Sequence, residues 1–271
     1  MTSVKNLPVK NALFLFFLLV YIISWGAIYL FAGPSGFPMT EDQTMLMGMA
    51  ILLGPTLASL ILTATISPRS GFRDLFSRLL KWRVRVHWYA VALLIAPLAT
   101  GVILGLFSLF SSEFQPAILL SPDKFNLIVS GIIGGLIVGL FEELGWTGFA
   151  VPRFLKTQGI LCTGVIIGVL WGAWHFPLFW EVNSFTASLP FILLVARLFS
   201  WLPPYRALMV WMYKNTESLF VTILMHTSLV ATLIVMDPMV KGANLVFYIL
   251  ARAALLWAMV VVMFVRGRKK A

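Results

Sequence analysis

The 271-residue chain is 60% hydrophobic and 11% charged, with a mean hydropathy of +0.95. Soluble domains carry about a quarter charged residues, so this composition excludes an ordinary soluble enzyme and points to a polytopic membrane protein. The net charge of +10 falls in alternate loops, where it reads as a topology signal, and nucleic acid is not an expected partner. The one cysteine, Cys162, lies in an apolar stretch and rules out an internal disulfide.

A bilayer span needs roughly 20 apolar residues. Eight are expected, at 12–32, 45–66, 88–110, 125–149, 160–179, 189–211, 219–236 and 245–265. They predict an all-α polytopic helix bundle, a single integral-membrane domain over residues 1–271, with the motif core in 125–236. The first run lacks a small-residue cleavage site and is expected to stay as a helix. The sixth is the weakest, because Pro203 and Pro204 interrupt its pattern.

Lys5 and Lys10 precede the first span, and Arg69, Arg73, Arg78, Lys81, Arg83 and Arg85 fill the loop after the second. Arg153 and Lys156 follow the fourth, Lys214 the sixth, and Arg266, Arg268, Lys269 and Lys270 the eighth. The alternate loops carry Glu41, Asp42, Glu113, Asp123, Glu181 and Asp237, against Lys124 and Lys241. Positive loops face the cytoplasm, so both termini and residues 67–87 are expected on that side. Within that loop Phe72, Leu75, Phe76, Leu79 and Leu80 repeat at helical spacing opposite charged residues. An amphipathic helix lying on membrane lipid is expected there.

Ionisable side chains at membrane depth are costly and usually functional. They are Glu142 and Glu143 in the fourth span, His175 in the fifth, Arg197 in the sixth, His226 in the seventh and Arg252 in the eighth. His87, beside Trp88 at a span boundary, is expected to be an interfacial anchor. A hairpin turning near Gly159 puts Glu142 level with His175. Gly131, Gly135 and Gly139 recur every fourth residue, as do Gly164, Gly168 and Gly172. Such faces allow close helix approach, so the two are predicted to pack together and bring the carboxylates against a histidine. Ser218, Thr222 and His226 form a further polar face at i+4 spacing, from which His226 can join the same cavity.

Two carboxylates and two imidazoles in a low-dielectric cavity suit several tasks. They can bind a divalent metal through one oxygen and two nitrogens, leaving a water position open. A glutamate can act directly as general base. Paired acids and histidines also serve as transporter proton relays, and a buried ionic cluster can simply hold the bundle. No internal repeat of the transporter kind is visible.

"EELGWTGFAVPRF", "WGAWHFPLF" and "LMHTSL", in that order, resemble the CPBP family of membrane proteases, which includes type II CAAX prenyl endopeptidases and bacteriocin-processing and immunity proteins. The family motifs are a Glu-Glu pair with an arginine four after the second Glu, an aromatic-xxx-His, and a His-xxx-Asn or Asp. The resemblance covers about the second half of the chain. It implies an endopeptidase working near the cytoplasmic side of a prokaryotic plasma membrane on a peptide or membrane-protein substrate. Carried over, Glu142 activates water and Glu143 supports it. Trp171 fills the aromatic position, and His175 and His226 hold the water or a metal. Glu143, His175 and His226 are then the implied ligands, with zinc the first choice. No His-Glu-x-x-His helix is present, so a conventional zincin is excluded by motif. Two positions depart from the pattern. Thr147 stands where the family has arginine, and Val230 where it has Asn or Asp. Thr147 can still donate one hydrogen bond, and Arg153 is the expected substitute cation. These departures imply altered efficiency or substrate, or a non-catalytic scaffold or immunity protein of the same family.

Overall fold

The computed structural model describes residues 7–32, 41–181 and 183–268. Every regular element among them is helical: α1 Val9–Ala32, α2 Glu41–Ile51, α3 Leu53–Ile66, α4 Pro68–Leu79, α5 Val86–Phe107, α6 Ala117–Leu120, α7 Lys124–Gly145, α8 Val151–Phe154, α9 Ile160–Trp174, α10 Phe176–Phe179, α11 Ser188–Val195, α12 Leu202–Thr216, α13 Leu219–Met236 and α14 Gly242–Arg268. Wide π-helical turns, Trp146–Ala150 and Ala196–Ser200, join α7 to α8 and α11 to α12. Seven helices among the described residues are long and apolar enough to cross a membrane. Their outer faces are apolar: Ile132, Ile133, Leu136 and Ile137 of α7 are all exposed. That is the pattern of a multi-pass membrane protein, whose backbone groups must be satisfied inside helices. Lys5, Lys269, Lys270 and the side chains of Glu41, Asp42, Arg266 and Arg268 lie outside the described residues.

Two expected spans are built differently. The fifth is not one helix to 179. It stops after the 15 residues of α9, and a short α10 follows. Pro177 has no N–H to bond the Ala173 carbonyl and its ring crowds that carbonyl, so the α9 ladder ends at His175 and Pro177 sits in the first turn of α10. The sixth survives its prolines because Pro203 and Pro204 sit in the first turn of α12, where backbone N–H groups lack intrahelical partners anyway. The amphipathic loop helix forms as α4, with Pro68 at its start. Leu75 is buried against Leu219 and Ile223, while Phe76 and Leu80 stay exposed.

The glycine faces do not pack against each other. A Cβ on Gly135 would lie 2.6 Å from the Thr227 carbonyl, and one on Gly139 3.0 Å from that of Ile223. This face therefore seats α13. A Cβ on Gly164 would lie 2.4 Å from Ala207 Cα, on Gly168 2.5 Å from Pro203 Cα, and on Gly172 1.9 Å from the Leu198 carbonyl. That face seats α12 and the turn before it. A bare glycine face accepts any helix of suitable shape, so spacing alone does not pair one such face with another.

The other intramembrane cations find local partners. Arg252 pairs with Asp237 and the Tyr248 hydroxyl, tying α14 to the end of α13. Arg197 lies 3.7 Å from Glu181. His87 packs on Trp88.

Candidate active site

Adjacent residues on a helix point about 100° apart, and the two glutamates meet different surroundings. Glu142 Oε2 accepts from the indole N–H of Trp146 at 3.1 Å and of Trp171 at 2.6 Å. Oε1 accepts from neither. Glu143 is enclosed: Arg206 Nη1 lies 2.8 Å from each of its oxygens, and His226 Nδ1 is 2.7 Å from Oε1. The Thr147 hydroxyl donates to Oε2. Trp146 and Thr147 each follow their glutamate by four residues, one turn on, where side chains meet. Gly145 makes this site possible, since a Cβ there would lie 2.5 Å from the Pro55 carbonyl of α3.

Glu142, Glu143, Thr147, Arg206 and His226 are all buried. A buried carboxylate needs a paired charge and full hydrogen bonding, and Arg206 supplies both to Glu143. Its guanidinium lies 4.2 Å from the centre of the Trp171 ring, a cation–π contact that offsets part of its own desolvation. Its Nε and Nη2 have no hydrogen-bond partner among the described residues.

His175 caps α9, with Nδ1 2.8 Å from the Trp171 carbonyl. A carbonyl only accepts, so Nδ1 carries the proton and Nε2 is left free. His226 likewise commits Nδ1 to Glu143. Both rings meet Trp171 edge to face, with centroids 5.3 Å away. His175 is partly exposed, unlike the others. The site thus gathers Glu142, Glu143, Thr147, Trp171 and His226 directly, with His175 joined through Trp171.

One expectation about a neighbouring residue is corrected. Arg153 does not reach the carboxylates. It donates to the Phe149 carbonyl at 2.9 Å and covers the Phe149 ring at 3.5 Å. Ten residues beyond Glu143, it sits about 15 Å along a helical path. Ser218 and Thr222 stay out of the cluster. Ser218 caps α13 by accepting from Val221 N–H at 3.1 Å and donates to the Lys81 carbonyl at 2.6 Å, while Thr222 donates to the Ser218 carbonyl at 2.9 Å. Arg206 is the residue that motif reasoning misses. Its signal is a second arginine, after Arg197, inside the sixth span, which is costly unless paired.

The ligand set Glu143, His175 and His226 does not fit a metal ion. Among the described residues no group of three or more His, Cys, Asp or Glu side chains is placed to hold one. Arg206 at 2.8 Å from both Glu143 oxygens occupies lone pairs that a cation would require, and its charge would repel a dication.

Residues 124–232 match the family model described as Type II CAAX prenyl endopeptidase Rce1-like. A curated protein, CAAX prenyl protease 2 of the archaeon Methanococcus maripaludis, is 25% identical over 220 residues, covering 78% of each chain. The matched segment runs from the start of α7 into α13 and contains Glu142, Glu143, Trp171, His175, Arg206 and His226. The chain is therefore a multi-pass membrane protein similar, over the segment that builds this site, to the Type II CAAX prenyl endopeptidase Rce1-like family.

Proposed function

We propose that this protein is a membrane-embedded endopeptidase in which Glu142 activates water. The observation that carries the reading is the division of labour between the glutamates. A proton on Glu143 would displace Arg206, His226 or Thr147, whereas Glu142 keeps Oε1 clear of both indoles. Glu142 takes a proton from water, and the hydroxide attacks the peptide carbonyl. His175 Nε2 accepts a hydrogen bond from the O–H that the hydroxide keeps. His226 keeps Nδ1 on Glu143 throughout and so fixes the carboxylate beside the reacting one. Glu142 then returns its proton to the leaving amine, so the step balances without a metal. Substrate approaches from the α9–α10 break, where His175 is partly exposed.

Arg206 has a positioning role. It brings from α12 the guanidinium that the family motif would place at residue 147, so Thr147 does not leave Glu143 without a cation. The relative's name supplies the substrate class to try first, a prenylated CAAX peptide. The test is cleavage of such a peptide by purified protein in nanodiscs, followed by mass spectrometry. Glu142→Gln keeps the side chain's shape but cannot accept the proton. It is expected to lower the rate about 10²–10⁴-fold at unchanged folded yield. Full activity in that variant would sink the proton-abstraction role. A second reading, a non-catalytic relative acting as a scaffold or immunity protein, is favoured by Val230 and predicts no cleavage but a biological effect that survives Glu142→Gln.

A further inference from the structure

On the face where the arginines and lysines gather, α4, α8 and the C-terminal end of α12 enclose a cavity of about 600 Å³. It contains none of the residues of the candidate active site. Its walls carry Arg78 and Lys81 from the loop after the second span, Arg153 and Lys156 from the end of the fourth, and Lys214 from the end of the sixth. Two carboxylates, Asp74 and Glu217, also line it. We propose that this cavity binds a phosphate group, carried by an acidic lipid headgroup or free in solution.

Two of the five cations are paired, Arg78 with Asp74 and Lys81 with Glu217, and the other three form no ion pair among the described residues. Arg78 is the deepest, with 13% of its side chain exposed, and it donates to Tyr213 Oη at 3.0 Å and the Gly148 carbonyl at 2.9 Å. Its ion-pair partner Asp74 is 63% exposed, and Glu217, 3.5 Å from Lys81, is 72% exposed. Exposed pairs of this kind are weak, and both carboxylates can swing outward. Arg153 spends only Nη1, on the Phe149 carbonyl. Lys156 and Lys214 form no ion pair among the described residues. A phosphate has several acceptor oxygens and is best met by donors converging from different elements, which is what three separate helices provide. Phe76, Leu80 and Trp82 are exposed beside the cavity. Apolar side chains on a surface helix enter the acyl boundary, and basic pockets at that depth attract anionic headgroups. Arg78 and Arg153 also donate to the carbonyls of Gly148 and Phe149 in the π-helical turn after Glu143, so an occupant would bind the two side chains that hold that turn.

The test is native mass spectrometry of the full chain released from detergent, titrated with phosphatidylglycerol, phosphatidylcholine or inorganic phosphate. Two double variants are compared, K156Q/K214Q at the cavity and K124Q/K241Q elsewhere, with equal loss of charge. The wild type is expected to retain phosphatidylglycerol in preference to phosphatidylcholine. K156Q/K214Q should weaken that retention roughly 10- to 30-fold, and K124Q/K241Q should not. Retention of inorganic phosphate with the same variant dependence assigns the phosphate to solution, and its failure while phosphatidylglycerol binds assigns it to lipid. Undiminished binding in K156Q/K214Q, an equal loss in K124Q/K241Q, or no binding of any of the three overturns the proposal. None of these readouts depends on peptidase activity.

Discussion

The α7–α13 pair and the α9–α12 pair are built on the same device and contribute opposite chemistry. Each uses three glycines at four-residue spacing to bring a partner helix close. The first pair joins Glu143 to His226, an acid and an imidazole. The second stacks Arg206 on Trp171, a fixed cation on an aromatic face. The site forms where the two pairs meet, and Glu143 is the joint, held by one partner from each. Glu142 is held only by neutral indole donors. One carboxylate is therefore spent on assembly, and the other remains available for chemistry.

Cutting the joint should have the largest effect. Arg206→Leu leaves Glu143 buried without its counter-charge, which costs about 3–5 kcal/mol, read as a lowered unfolding midpoint in detergent. Adding Thr147→Arg should recover part of that loss, since it offers a guanidinium one turn from Glu143. Unchanged stability in Arg206→Leu would show that the two pairs are not coupled through this contact. A smaller effect should separate glycines that seat a helix from those that do not. Gly172→Ala, whose Cβ would meet the Leu198 carbonyl at 1.9 Å, should cost about 1–3 kcal/mol. Gly134→Ala, whose Cβ would lie 3.5 Å from the Ile234 side chain, should be neutral or stabilising, because alanine is the better helix former. Equal costs at the two positions would remove close approach as the explanation. The smallest effect tests the periphery of the first pair. Ser218→Ala removes the α13 cap, costing about 1 kcal/mol, while cleavage per folded molecule stays as in the wild type. A large activity loss there would add Ser218 to the site.

Much of this was legible beforehand because it depends on local properties. Length and hydropathy mark a span whatever surrounds it, and the 100° rule separates Glu142 from Glu143 before any partner is known. The positions of Glu142, Trp171 and His226 followed from motifs that keep their spacing on one helix each. Arg153 was a wrong substitute because sequence proximity to Glu143 was allowed to stand for proximity in space. Arg206, 63 residues away, had no periodicity or motif to link it to Glu143.

By itself, the sequence determined a membrane helix bundle, the elements that carry the acids and imidazoles, and that the two adjacent glutamates point in different directions. These follow from burial cost and helical geometry, which act over a few residues. Only the tertiary structure decided which glycine face seats which helix, that α9 stops at His175, and that a guanidinium from α12 neutralises Glu143. Those outcomes depend on shape and charge matching between helices far apart in the chain, and several pairings satisfy the same spacing until all the helices are packed together.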